Sequence, residues 1–136
     1  MNRNFTKAES LANDLRSNLS NAGIDISINS CEMDYLKKEL DSSDIFIDTT
    51  PIGMYPNVND KPIASADMLH EGLVVNDIVY TPMETSLIKE AKKANAQVVY
   101  GYEMLLYQGI RSFEIWLGRD APADVMEKAL LDVLGI

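Results

Sequence analysis

The alternation of strand-like and helical segments constrains the fold of this chain more than any other feature of its sequence. Residues 73–80 are rich in β-branched side chains, and helical spacing follows in residues 85–94. Residues 97–100 form another short apolar run, and a longer helical pattern extends from about residue 103 to residue 117. Strands that alternate with helices build parallel sheets. The sequence therefore predicts an α/β fold, with a parallel sheet covered by helices on both faces.

Helices and one strand are also predicted in the first 40 residues. Thr6 and Glu9 have the spacing of a capping box, and apolar residues at helical spacing continue until Gly23. Isoleucines alternate with polar residues in the segment 24–28, which predicts a strand. Residues 33–40 predict a short helix.

Unusual residues follow three of the predicted strands. Residues 44–48 predict a strand, and the next nine residues contain two prolines and a glycine, which predicts a loop. Residues 77–82 include the end of the strand predicted at residues 73–80. Gly101 follows the last predicted strand, at residues 97–100. Ligands of open parallel sheets bind beyond the carboxyl ends of the strands. These three loops therefore predict a small-molecule site, although each could also be an ordinary connection.

The segment 101–109 is the centre of that predicted site. A glycine at the end of a strand lets backbone approach a ligand without a Cβ in the way. Gln108, about two helical turns later, has an amide that both donates and accepts hydrogen bonds. The alternative is an ordinary strand-to-helix turn with a surface glutamine.

Composition excludes several classes of function. With 136 residues and 46% apolar residues, the chain is predicted to form one domain over residues 1–136. Its formal net charge of -9 argues against a surface for nucleic acid or anionic membrane. No apolar run is long enough to span a bilayer, and the amino terminus does not read as a signal peptide, so a cytoplasmic location is expected.

Metal binding and thiol chemistry are not indicated. Cys31 is the only cysteine, and a small semi-buried residue is the simpler interpretation than a reactive thiol. His70 is the only histidine and is predicted to face solvent from a loop.

The amino end offers a possible phosphate site. Arg3 and Lys7 lie just before and within the start of the first predicted helix, next to Asn2 and Asn4. Helix amides with nearby cations bind phosphate well, and a guanidinium can stack on a purine. Basic residues near a chain start are also often only solvated.

Together, four segments resemble the carboxyl-terminal, NADP-binding part of shikimate dehydrogenase. Residues 2–8 are similar to that family's Asn-Arg-Thr-x-x-Lys/Arg-Ala stretch, and residues 44–54 to its Asn-Ala-Thr-Pro-x-Gly-Met loop. Residues 77–82 match Asp-x-x-Tyr-x-Pro, and residues 101–108 match Gly-x-x-Met-Leu-x-x-Gln. The resemblance covers nearly the whole chain in the family's order. It implies an incomplete Rossmann-like fold and an oxidoreductase that interconverts 3-dehydroshikimate and shikimate with NADP, in aromatic amino acid biosynthesis.

The resemblance also implies roles for individual residues. Those expected to hold the ribose and 2′-phosphate of NADP are Asn2, Arg3, Asn4 and Lys7. Those expected at the nicotinamide end of the cofactor are Ile78, Gly101, Met104 and Leu105. Those expected to reach the hydroxyl and carboxylate groups of shikimate are Tyr80 and Gln108. Asp77 is expected to anchor the strand end, and Glu103 and Tyr107 to lie on the wrong face of the helix.

Departures from the family pattern, and missing parts, limit these expectations. Asn4 replaces a threonine, and Asp48 and Thr49 replace an Asn-Ala pair; an aspartate would repel a pyrophosphate unless it faced away. The resemblance implies that the family's glycine-rich loop and amino-terminal catalytic domain are absent from these residues. No catalytic residue is therefore assigned, because ketone reduction also needs an acid, and Lys61 is not a convincing replacement.

The resemblance implies that a central strand of the sheet is also absent. Either the strands predicted at 24–28 and 44–48 pair directly, or another chain fills an exposed edge. A homodimer, or association with a separate amino-terminal half, is therefore expected. Three alternatives stay open: a non-catalytic nucleotide-binding module, a structural remnant that binds no ligand, and a related quinate/shikimate enzyme that uses NAD.

Overall fold

The computed structural model describes residues 1–135, which form two compact units divided between Ser42 and Ser43. The first unit contains helix α1 (Phe5–Asn21), a 3-10 helix (Met33–Tyr35) and the short helix α2 (Leu36–Leu40). The prediction of a helix over residues 33–40 is thus confirmed. The prediction of one domain over residues 1–136 stays a prediction.

Helix α1 begins at a different residue from the one the capping box predicted. Asn4 is the N-cap, and its side-chain oxygen accepts a hydrogen bond from the Lys7 amide at 3.2 Å. Thr6 lies inside the first turn, so the Thr6–Glu9 capping box was wrong. Asparagine has one of the strongest preferences for the N-cap position, and its oxygen reaches the free amides of the first turn. Gly23, with φ of +73°, follows the end of the helix as predicted.

The strand predicted at residues 24–28 was wrong. These residues have no regular secondary structure, and Ile24 and Ile26 are more than half exposed. A strand needs a neighbour to pair its backbone groups, and none of residues 1–42 forms one. The alternation of isoleucine with polar residues indicated strand character but could not supply a partner.

The second unit is a parallel α/β arrangement, which confirms the predicted fold class. Its elements, apart from a 3-10 helix at Ala66–Met68, are β1 (Ile45–Asp48), β2 (Val74–Asp77), α3 (Ser86–Lys93), β3 (Gln97–Val99), α4 (Gly101–Leu117) and α5 (Ala123–Leu134). Within residues 1–135 the strands form one three-stranded sheet in the order β1-β2-β3, and both pairings are parallel.

The core of this unit lies between the sheet and α3. Leu73, Val75 and Ile88 are completely buried there, and α3 packs against β2 and β3. Thr85 is the N-cap of α3, and its hydroxyl oxygen accepts from the Ile88 amide at 3.3 Å. Local capping and apolar periodicity therefore agree, which explains why sequence alone located this helix.

The opposite face of the sheet is open at β1. Phe46 of β1 is the register partner of the buried Val75, so the two side chains lie on the same face of the sheet. Side chains alternate between faces along a strand, and Ile45 and Ile47 therefore lie on the opposite face. Ile45 is 62% exposed and Ile47 is 57% exposed.

Helix α4 begins at Gly101 itself, two residues before the predicted start, so Gly101 is a helical residue and not part of a turn. Gly118, with φ of +61°, ends α4 as predicted. No helix formed by residues 1–135 has the length and apolar character to cross a membrane.

Candidate functional site

The three loops predicted to form a site meet at the carboxyl edge of the sheet. Asp48 and Asp77 are register partners at the ends of β1 and β2, and the Ile78 amide donates to the Asp48 carbonyl oxygen at 3.1 Å. Beyond the strands, the Tyr55 amide donates to the Thr81 carbonyl oxygen at 3.1 Å. The loops after β1 and β2 are therefore tied to each other by backbone hydrogen bonds.

Gly101 brings the third loop to the same place. A Cβ on Gly101 would lie 2.7, 2.6 and 2.5 Å from the carbonyl oxygens of Asp77, Ile78 and Val79. These distances are shorter than any van der Waals contact, and the atoms concerned are backbone. Only glycine fits here, because the start of α4 lies directly on the segment that leaves β2. Backbone does come close to Gly101, but it is the backbone of residues 77–79, and the approach of a ligand to Gly101 stays a prediction.

Asp77 organises the segment that follows β2. Its carboxylate is fully buried, and it accepts from the Val79 amide at 3.0 Å and from the Thr85 hydroxyl at 2.6 Å. Burial raises the pKa of Asp77; hydrogen bonds from Thr85 and Val79 oppose that effect, and the nearby charge of Asp48 adds to it. These contacts are those of an anchor at the strand end, as the sequence predicted.

Asp48, the departure from the family pattern, faces into the protein. It is 3% exposed, and its two carboxylate oxygens accept from the amide of Thr50 at 2.8 Å and from its hydroxyl at 3.2 Å. This is an Asx-type turn that fixes the start of the loop. The carboxylate therefore points into the protein and not toward a ligand at the surface, which is the orientation for which the sequence predicted no direct repulsion.

The residues predicted to contact nicotinamide and substrate differ in exposure. Ile78 and Leu105 are half-buried, whereas Met104 is 43% exposed and Tyr80 is 41% exposed. Gln108 is exposed, and its side-chain amide donates to the Leu105 carbonyl oxygen at 3.0 Å. Gly101, Met104, Leu105 and Gln108 all lie within the first eight residues of α4. The phenol of Tyr80 and the surfaces of Met104 and Gln108 are accessible to a ligand.

The four residues predicted to bind phosphate all lie at the exposed start of α1. Arg3 and Lys7 are exposed, so both cations are accessible. The side-chain oxygen of Asn2 accepts from the Asn4 amide at 2.8 Å, and Asn4 caps the helix. The two asparagines therefore order the backbone on which the cations are carried, and the amino end of a helix favours an anion.

An open groove of about 400 Å³ also lies in the first unit, lined by Phe5, Ser30, Cys31, Glu32, Tyr35 and Glu39. Its two glutamates disfavour a phosphate.

Sequence reasoning missed two polar side chains that hold the edge together. Asn76 donates to the Val99 carbonyl oxygen at 2.9 Å and so ties the end of β3 to β2. Glu103 accepts from the Tyr100 amide at 3.2 Å at the start of α4. The signal for Glu103 was available, since an acidic residue three positions after an N-cap commonly reaches back to it. Nothing in the sequence distinguished Asn76 from a surface residue.

Within the described residues 1–135, no group of three or more His, Cys, Asp or Glu side chains could hold a metal ion. His70 is half-buried, and its Nε2 lies 3.2 Å from the Ser43 carbonyl oxygen. His70 thus lies in a loop, as predicted, but it is half-buried and does not face solvent fully.

Comparison with known proteins identifies the relatives of this arrangement. The family model for the shikimate 5′-dehydrogenase C-terminal domain matches residues 101–131, which include all of α4. The shikimate dehydrogenase (NADP(+)) of Methanobrevibacter smithii is 50% identical over 136 residues, which are 100% of this chain and 47% of that protein. The chain thus spans about half the length of the curated relatives it matches.

Solved structures agree with that similarity. A crystal structure of shikimate dehydrogenase in complex with NADP+ matches 98% of this chain and 45% of its own, with a TM-score of 0.85 and 41% identity. Shikimate 5-dehydrogenase from Listeria monocytogenes, in complex with shikimate and NAD, matches 73% of this chain and 34% of its own, with a TM-score of 0.67 and 37% identity. The resemblance to the carboxyl-terminal part of shikimate dehydrogenase is confirmed.

Proposed function

We propose that this chain supplies the NADP-binding half of a shikimate dehydrogenase, an oxidoreductase that interconverts 3-dehydroshikimate and shikimate. The observation that carries the proposal is the contact of Gly101 with the carbonyl groups of residues 77–79. That contact joins residues 77–82 to residues 101–108, two of the segments that resemble the family. The chain is also similar to these enzymes over its whole length.

Two sets of residues are proposed to contact the cofactor, one at the start of α1 and one around the start of α4. Arg3 and Lys7 would hold the 2′-phosphate, because two accessible cations stand beside the free amides of a helix start, with Asn2 and Asn4 ordering that turn. Gly101 would meet the nicotinamide through its backbone, and Ile78, Met104 and Leu105 would pack beside the ring. Bound NADPH would supply the hydride.

The substrate contacts come from two polar side chains. Tyr80 and Gln108 are both accessible, and a phenol and an amide suit the hydroxyl and carboxylate groups of shikimate. Gln108 would exchange its bond to the Leu105 carbonyl for one to the ligand. Reduction of a ketone also needs a proton donor, and we assign none in this chain, so it is proposed to be inactive alone.

Titration with NADPH and with NADH, followed by fluorescence, tests this proposal. We expect tighter binding of NADPH, and we expect Arg3→Ala to lose that preference, because it removes a phosphate contact. Arg119→Ala makes the same change of charge after the end of α4 and should leave the preference intact. Equal affinity for the two cofactors would contradict the phosphate site, and no binding at millimolar concentrations would favour a structural remnant.

The proposal extends to location and assembly. Cytoplasmic residence fits a metabolic enzyme. Association, either as a homodimer or with a separate amino-terminal half, would provide the groups that this chain lacks. NADPH binding without any enzymatic activity in the assembled state would favour the non-catalytic module.

A further inference from the structure

The peptide group that joins Ile78 to Val79 is held from both sides. Its N–H, on Val79, donates to the Asp77 carboxylate at 3.0 Å. Its carbonyl oxygen, on Ile78, lies 2.6 Å from the place that a Cβ of Gly101 would occupy. The N–H and C=O of a planar trans peptide point in opposite directions, so these two contacts leave the group one orientation. Rotation of the peptide would break its hydrogen bond to Asp77.

The orientation of this peptide decides how two proposed site residues are presented. Val79 is only 6% exposed, so its side chain faces the core. Its neighbours along the chain face outward more: Ile78 is half-buried and Tyr80 is 41% exposed. Ile78 is a proposed nicotinamide contact, and Tyr80 is a proposed substrate contact. A rotation of the peptide would therefore displace the side chains that are proposed to meet the ligands.

Thr85 fixes the carboxylate that holds the peptide. Its hydroxyl donates to the second oxygen of Asp77 at 2.6 Å, which restrains that side chain from turning away from Val79. Thr85 is 1% exposed and is the N-cap of α3, whose residues Leu87 and Ile88 are buried. Capping uses the hydroxyl only as an acceptor, so its proton is available for Asp77. The hydroxyl thus links a helix anchored in the core to the segment after β2.

We propose that Thr85 is a positioning residue for the ligand contacts that follow β2. It acts through Asp77, whose carboxylate orients the Ile78–Val79 peptide. The inference rests on the proposed function, which is what makes Ile78 and Tyr80 ligand contacts. A merely structural Thr85 would change the stability of the chain and leave the contacts of its folded state unaltered.

Amide hydrogen exchange on the whole chain tests the backbone part of this proposal. The Val79 amide should be protected in the parent. Thr85→Val keeps the shape of the side chain but removes its hydroxyl, and it should raise the exchange rate of Val79 about tenfold by local opening. The Ile78 amide donates instead to the Asp48 carbonyl oxygen at 3.1 Å and should keep its rate. Thr85→Ser, which retains a hydroxyl, should leave Val79 protected.

Ser86→Ala is the matched control. It also removes a hydroxyl at the start of α3, but that hydroxyl donates to the Val58 carbonyl oxygen at 3.3 Å, in the loop after β1. The Val79 amide should therefore stay protected. Equal acceleration of the Ile78 and Val79 amides in Thr85→Val would show only a loss of stability and would overturn the proposal. An unprotected Val79 amide in the parent would overturn it without any variant.

Ligand binding tests the functional part. NADPH and adenosine 2′,5′-bisphosphate, the fragment of NADP that lacks nicotinamide, are titrated against the parent, Thr85→Val and Thr85→Ser. Thr85→Val should weaken NADPH binding about fivefold, the equivalent of one ordinary hydrogen bond. It should leave the affinity for the fragment unchanged, because Arg3 and Lys7 are proposed to hold the phosphate. Thr85→Ser should bind NADPH as the parent does.

The two ligands also separate this proposal from the proposed function. An equal loss of affinity for both ligands in Thr85→Val, or no loss for NADPH, would overturn the positioning role. A parent chain that binds neither ligand would contradict the proposed function. Exchange at Val79 would then decide alone whether Thr85 orients the peptide.

Discussion

Gly101 and Ile78 are in direct backbone contact: a Cβ on Gly101 would lie 2.6 Å from the Ile78 carbonyl oxygen. Gly101→Ala must therefore push α4 away from the segment that follows β2. Overpacking of this kind typically costs about 1–3 kcal/mol. We expect a lower free energy of unfolding, measured by chemical denaturation, and weaker NADPH binding, because the nicotinamide contacts lie on α4.

Gly109→Ala is the control for that substitution. It lies in the same helix, and its added Cβ would meet only the Met126 Cε atom, at an ordinary 3.5 Å. Alanine exceeds glycine in helix propensity by up to about 1 kcal/mol. This variant should be as stable as the parent or more so. Equal losses in both variants would contradict the contact with Ile78.

The titration of Asp77 should be visible in stability. Its pKa is raised above the ordinary value of 3.8 by burial, so the folded state retains this proton when the unfolded state has lost it. Between pH 3.8 and the raised pKa, the folded state binds more protons, and stability falls as the pH rises. Asp77→Asn does not titrate. The free energy of unfolding of the parent, relative to this variant, should therefore increase as the solution is acidified from neutrality.

Glu84 and Glu90 titrate in the parent and in Asp77→Asn alike, so their contributions to the free energy of unfolding cancel in that comparison. Their pKa values are lowered by hydrogen bonds from Lys92 and Lys93 respectively, so their contribution has the opposite sign and is lost in acid. Denaturation curves of parent and variant at matched pH values isolate Asp77. A parent that loses stability relative to Asp77→Asn on acidification would show that the carboxyl is not held in a desolvated site.

The start of α1 gives a test that separates two capping residues. Asn4→Ala removes the oxygen that accepts from the Lys7 amide and should cost about 1 kcal/mol of stability. Thr6→Ala changes an exposed residue inside the helix and should be neutral or slightly stabilising. Thermal melting monitored by circular dichroism compares them. A larger loss of stability in Thr6→Ala than in Asn4→Ala would instead support Thr6 as the capping residue.

Substrate recognition can be tested in an active assembly of this chain with a separate amino-terminal half. Gln108→Ala should raise KM for shikimate about tenfold, the equivalent of one hydrogen bond worth about 1.4 kcal/mol, with a smaller effect on KM for NADP. Tyr107→Phe alters the neighbouring residue of α4, whose side chain is 66% exposed and which is expected to lie on another face. It should leave both constants unchanged. Steady-state rates at varied shikimate provide the measurement.

Local chemistry determined what could be predicted from sequence. Helix α3 has its capping threonine next to its apolar face, and Gly118 ends α4 in a conformation that glycine adopts freely, so both were located correctly. The segment 24–28 has the local pattern of a strand, but a strand also needs a neighbour. Its failure to form one depends on residues far away in the chain, which no local pattern reports.

The site shows the same division. The sequence indicated that the three loops would meet, because parallel strands share one carboxyl edge. It could not show that Asp48 turns inward to bind Thr50, since that depends on packing around the strand end. The small size of Gly101 was evident, but the atoms that require it belong to residues 77–79, more than twenty positions earlier.

The contact between Gly101 and the backbone of Ile78 also gives α4 a fixed origin. Seven residues separate Gly101 from Gln108, a distance of about 10 Å along the helix axis. The helix therefore sets the distance between the two proposed ligand contacts, and its first residue is fixed against the end of β2. Inserting one residue between them would move Gln108 by only about 1.5 Å but rotate it by about 100°. An insertion or deletion between Gly101 and Gln108 would therefore disturb the direction of the Gln108 side chain far more than its distance from Gly101.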